Sequence, residues 1–134
     1  MREIKFRGRR TENQEWVCGY YVRKPSGEHL IYYQPFEEAS INTYREVLYE
    51  TIGQFTGQKD INGVEIYEGD ILKLKKNTEY SYYVAFENGA FVCYHTTLRE
   101  WDETPLRWGG LWRIDEIGLK VEVIGNIHEA KPAT

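Results

Sequence analysis

Residues 52–74 read IGQFTGQKDINGVEIYEGDILKL, and this stretch decides the fold. It holds four glycines, two turn signals and the start of a strand. Asp60-Ile61-Asn62-Gly63 predicts a tight turn. Asp and Asn bond their own main chain and tolerate left-handed backbone, and glycine takes positive φ at no steric cost. Tyr67-Glu68-Gly69-Asp70 predicts a second turn, and Ile71-Leu72-Lys73-Leu74-Lys75 alternates as a half-buried strand does. A double turn feeding a strand is an architectural signal and carries no catalytic one.

Downstream, the pattern continues as antiparallel β. Lys76 to Glu79 reads as a loop, Tyr80 to Glu87 as a strand, Asn88-Gly89 as a hairpin turn and Ala90 to His95 as the returning strand. Lys120 to Ile127 closes the sheet, and the polar tail from Glu129 to Thr134 frays. A strand opening on Gly-Asp, then a loop, then a tight hairpin, matches the meander of a small SH3-like barrel by analogy of pattern.

Upstream, Glu3 to Arg7, Glu15 to Arg23 and His29 to Gln34 alternate as strands, with a bulge expected at Gly19 and a hairpin loop over Lys24 to Glu28. Pro35 to Asn42 is a connector. Thr43 to Glu50 fits both periods: Tyr44, Val47 and Leu48 make a helical face, Val47 and Tyr49 a strand face. Its aromatic and β-branched content favours a strand. The expected fold is mainly β with little helix. It is one domain over 1–134, built of antiparallel meanders with a small SH3-like barrel in the C-terminal half and a minor subdivision near Glu50.

The 134 residues are enough to bury a core without staples. An apolar fraction of 41% with 28% charged residues is globular composition. Aromatics reach 15%, with 11 Tyr and 4 Trp, which suits both pleated sheets and binding surfaces. The net charge of −4 opposes any phosphate-binding role except through a local patch. No apolar run approaches membrane-span length, and MREIKFRGRR lacks the apolar core of a secretory signal. The expectation is a cytoplasmic protein, not a membrane one, with Cys18 and Cys93 both reduced.

The central stretch, IGQFTGQKDINGVEIYEGDIL, resembles the signature of the YopX protein family, small proteins of phages and prophages. Met1-Arg2-Glu3-Ile4-Lys5-Phe6-Arg7 resembles the family's opening, and Glu122-Val123-Ile124-Gly125-Asn126-Ile127-His128-Glu129 its closing strand. Two departures stand out. Gly8-Arg9-Arg10 replaces an Ala-Trp-Asp-like turn, and Thr96 to Lys120 is tryptophan-rich and matches nothing in the pattern. The family has no assigned activity, so the resemblance implies a phage or prophage protein and brings no catalytic residues.

Each candidate chemistry has a plainer competitor. Asp60 and Asn62 fit the first two positions of a calcium loop, but Gly63 arrives too early, so Asx-type turns are the better reading and Glu65 and Glu68 face solvent. Cys93, His95, Cys18 and His29 lack the close-spaced pairs of a zinc site. Neither thiol has a glycine elbow or helix start beside it. Phosphate-loop and dinucleotide fingerprints are absent, so no cofactor, no metal and no enzyme activity are expected. The cluster Arg7, Arg9, Arg10 reads as a solvated edge strand before a phosphate contact.

Two binding readings remain. Trp101, Trp108 and Trp112, with Arg107 and Arg113, have the composition of an interface hot spot, or of a loop covering a barrel end. Tyr80, Tyr82 and Tyr83 beside Lys73 and Lys75 have the composition of a single-strand nucleic-acid face, or of core and cross-strand packing. The turns around Asn62 and Gly69 are further surface candidates. The expected function is a non-catalytic binding or assembly protein acting as a homo-oligomer or with a protein partner. Single-stranded nucleic-acid binding by a small β-barrel is the alternative.

Overall fold

The computed structural model describes residues 3–33, 43–74, 77–95 and 121–129. Ten strands and one short 3-10 turn make up its regular structure, and the strands pair antiparallel in every register observed. The chain divides into two compact units, Met1–Phe55 and Thr56–Thr134.

In the first unit, β1 (Phe6–Arg9), β2 (Trp16–Arg23), β3 (His29–Tyr32) and β4 (Tyr44–Glu46) lie in the order β4-β3-β2-β1, and β5 (Gly53–Lys59) starts beside β1. The ambiguous stretch resolves into both forms in turn: strand over Tyr44–Glu46, then a 3-10 turn over Tyr49–Thr51. Leu30, Ile31, Val47 and Phe55 are buried. Two glycines allow the tight fit. A Cβ on Gly8 would lie 3.0 Å from the Val47 Cβ, and one on Gly19 would lie 2.0 Å from the Tyr32 carbonyl oxygen. Gly19 is thus a point of close backbone approach. Thr51 ties the unit together. Its Oγ1 accepts the Arg9 N–H at 2.9 Å and its hydroxyl donates to the Leu48 carbonyl at 2.7 Å.

In the second unit, the end of β5 pairs with β6 (Glu65–Tyr67). Strands β7 (Asp70–Leu74), β8 (Asn77–Glu87), β9 (Ala90–His95) and β10 (Val121–Asn126) form a sheet in the order β10-β7-β8-β9. Asn88 and Gly89 both have positive φ, 52° and 80°, the two left-handed residues that a tight hairpin requires. Ile66, Leu72, Tyr82, Val84, Phe91, Cys93 and Val121 form one buried cluster, with Val123 packed against it.

Three expectations are corrected. The short strand β6 lies between the two predicted turns, where the sequence reads no strand, and takes in Tyr67 of the second. The Lys76–Glu79 loop is shorter, because β8 already begins at Asn77. The SH3-like barrel is not formed: among the described residues no sheet closes, and the four-stranded sheet is open. The reason is local. Closure needs β9 and β10 to bond each other, but β10 gives its outer edge to the Asp60 turn. The Ile61 N–H donates to the Val121 carbonyl at 3.0 Å, and the Val123 N–H donates to Asp60 Oδ2 at 2.9 Å.

Asp60 is 7% exposed, and its carboxylate is fully engaged. Oδ1 accepts the N–H groups of Asn62 and Val64, each at 2.8 Å, while Oδ2 takes Val123. Asp70, 1% exposed, accepts the Tyr67 N–H at 2.7 Å through Oδ2, closing the second turn. The Gly69 N–H donates to the Val84 carbonyl, and the Gly69 carbonyl accepts the Ile127 N–H at 2.9 Å. The stretch 60–70 therefore bonds to β8, to β10 and to the residue after it.

Candidate functional site

Strand register builds a concentrated set of contact-making side chains on the described surface. Tyr20 on β2 lies opposite Tyr32 on β3, and Tyr32 lies opposite Tyr44 on β4. Directly opposed residues on antiparallel strands share a face, so the three tyrosines form a row across the sheet. The Tyr32 and Tyr44 rings are 5.1 Å apart at their centroids. Tyr20 is 70% exposed and Tyr44 43%. Val22, 41% exposed, and the exposed Cys18 lie on the same face of β2 by alternation.

Cations flank the row. Lys24 Nζ lies 5.9 Å from the Tyr44 ring centroid. At the other end of β2, the guanidinium carbons of Arg7 and Arg9 lie 4.7 and 5.4 Å from the Trp16 ring centroid. A cation within about 6 Å of a ring face is held by the ring's quadrupole. Arg10 is engaged differently: it pairs with Glu12 at 3.0 Å and with Glu15 at 3.7 Å. A second ring cluster joins Tyr21, His29 and Tyr49, with the Tyr21 hydroxyl 2.6 Å from His29 Nδ1.

The residues singled out from sequence are dispersed. Trp101, Arg107, Trp108, Trp112, Arg113 and Lys75 lie outside the described residues. Tyr80 falls within β8. Tyr82 is 9% exposed in the core cluster of the second unit. Tyr83 points to the opposite face and stacks on Tyr94 at 5.2 Å, and the Tyr94 hydroxyl donates to Glu87. Lys73 is half-buried on the Tyr83 face, between Ser81 and Glu122 in register. The structure brings Lys73 and Tyr83 to one face and separates both from Tyr82.

The zinc candidates are likewise apart in environment. Cys93 is 1% exposed in the core, and burial pushes its thiol up to about 12, so it is protonated at neutral pH. Among the described residues no three His, Cys, Asp or Glu side chains converge as a metal site would need. No helix among them is long and apolar enough to cross a membrane.

Sequence reasoning missed the tyrosine row, although part of its signal was present. A hairpin loop at Lys24–Glu28 already sets Arg23 opposite His29, and counting back along both strands puts Tyr20 opposite Tyr32. Tyr44 needs β4 to be placed, and nothing local in the sequence does that.

Fold and surface together define a class: an all-antiparallel β protein with a double-turn scaffold and an aromatic, cation-flanked sheet face. The chain belongs to the YopX protein family, whose model matches residues 5–132. No curated protein matches the chain.

Proposed function

We propose that this chain is a non-catalytic binding or assembly protein of the phage and prophage type, working in the cytoplasm with a protein partner or with copies of itself. The observation that carries this reading is the Tyr20-Tyr32-Tyr44 row, exposed at both ends and flanked by cations. Exposed aromatic rings beside cations have the make-up of a contact surface. The reactive side chains in the family signature point the same way, because Asp60 and Asp70 hold backbone N–H groups. The tryptophan segment supplies the remaining contact candidates. Sedimentation velocity over a wide concentration range tests the reading. Assembly that Trp108→Ala and Trp112→Ala weaken, with an unchanged melting temperature, is the expected result. A monomer at every concentration, or variants that unfold, would remove self-assembly through that segment.

A second reading is favoured by a specific observation. Lys24, Arg7 and Arg9 lie over aromatic rings on one strand face, a combination that suits single-stranded nucleic acid.

A further inference from the structure

Three strands place Tyr20, Tyr32 and Tyr44 in one line perpendicular to their length. Neighbouring strands are about 4.8 Å apart, so the line spans roughly 10 Å. An extended single strand can lay two bases over such a distance when they are splayed onto aromatic rings, as sheet-surface RNA readers do. The outer members are accessible: Tyr20 is 70% exposed, and Tyr44 keeps 43% of its surface although Tyr32 lies beside it.

Charge selects among occupants. Residues 1–55 carry eight Lys and Arg against eight Asp and Glu, so the acidic excess of the chain belongs to residues 56–134. Among the described residues of the first unit, four acids sit in pairs or turns. Glu12 and Glu15 lie at the β1–β2 turn with Arg10, Glu3 pairs with Lys5 at 3.5 Å, and Glu28 accepts the Ser26 hydroxyl in the hairpin loop. The face with the row shows Lys24 at one end and Arg7 and Arg9 at the other. Glu46, opposite Leu30 in register, is the acid among its β4 residues. Aromatic platforms between cations fit a ligand with π-faces along a chain of phosphates.

We propose that the β2–β3–β4 face binds single-stranded nucleic acid, with bases stacked on Tyr20 and Tyr44 and Lys24 contacting the phosphate chain. This inference rests on the second reading above, single-stranded nucleic-acid binding, and places the bases on tyrosines of the first unit, where the sequence points to those of β8. Stacking on tyrosine does not distinguish ribose from deoxyribose, so both strand types are ligands by this chemistry.

The test is fluorescence anisotropy of the full chain with labelled 20-residue oligo-dT and oligo-U, at low and at physiological salt. The expected result is binding that weakens with salt. Tyr20→Ala should weaken it by about 5- to 150-fold, the usual range for losing one stacked base. Tyr20→Phe should keep it, because the ring and not the hydroxyl makes the platform. Lys24→Ala should lower the magnitude of the salt slope by about 0.7, the value for one phosphate contact on a single strand. Oligonucleotide binding that Tyr20→Ala and Lys24→Ala leave unchanged would overturn this surface and leave the second reading standing. No binding at low salt would overturn both, and so would a self-association that Tyr20→Ala abolishes in the absence of any oligonucleotide binding.

Discussion

Asp60 bonds the outer edge of β10, whose other edge pairs with β7, and its removal tests how the second unit is built. One carboxylate accepts three backbone N–H groups: Asn62 and Val64 within its own turn, and Val123 on β10, 63 residues away. The two local donors belong to exposed residues, so water can take them when the side chain is cut back. Each then costs about 0.5–1 kcal/mol. Val123 is half-buried against the core cluster, and losing a charge-assisted bond there costs roughly 1.5–3 kcal/mol. Asp60→Ala should therefore destabilise the protein by about 2.5–5 kcal/mol. Asp60→Asn should cost less, about 1–3 kcal/mol. Its carbonyl oxygen can still serve Asn62 and Val64, but its NH2 would face the Val123 N–H, donor against donor.

Urea unfolding gives the totals, and amide hydrogen exchange assigns them. In both variants the Val123 amide should lose protection before the amides on the β8–β9 ladder do. An Asp60→Ala protein within about 1 kcal/mol of the parent, with Val123 still protected, would refute the idea that this carboxylate pins β10.

Two further outcomes follow from burial and from close approach. Ellman's reagent should titrate one thiol in the folded protein, Cys18, and a second only in denaturant, because Cys93 is buried and its thiol lies at about 12. The folded state keeps that proton while the unfolded chain loses it above 9.0, so the stabilisation is complete below pH 9 and declines toward pH 12. The loss is about 1 kcal/mol at pH 10 and about 4 kcal/mol at pH 12, and Cys93→Ala should remove this component of the alkaline unfolding curve. Gly19→Ala should cost about 3 kcal/mol or more, since its Cβ would meet the Tyr32 carbonyl oxygen at 2.0 Å. Gly27→Ala, with φ at +101° and open space around it, should cost about 1–2 kcal/mol. Equal urea midpoints for these two variants would contradict the packing described at Gly19.

The strands were legible where turn chemistry and alternation agreed. Asn88-Gly89 marked the β8–β9 hairpin, and Lys24 to Glu28 the β2–β3 hairpin, both at the observed residues. What local pattern could not carry was pairing over distance. Strand β6 has three residues, too few for alternation to register, and it exists because the Asp60 turn folds it back on β5. The barrel expectation failed for a related reason. The pattern of strands is the same whether β10 bonds a neighbouring strand or a turn, and here Ile61 and Asp60 of the turn bond its edge at Val121 and Val123. The tyrosine row was half legible: the hairpin sets Tyr20 against Tyr32, but Tyr44 arrives after a connector whose length fixes no register.

The stretch that identifies the family is also the stretch whose polar atoms are taken up by the fold. Asp60 holds three N–H groups, Asp70 the N–H of Tyr67, and Gly69 is bonded through both its N–H and its carbonyl. A carboxylate that holds backbone donors is fixed by them, and moving that of Asp60 would free the β10 edge it bonds. The proposed contact surface lies on other strands, β2, β3 and β4, where Tyr20 is 70% and Tyr44 43% exposed. Substitutions in the two regions should therefore separate: Asp60 and Gly19 change stability first, and Tyr20 and Lys24 change binding while the fold remains intact.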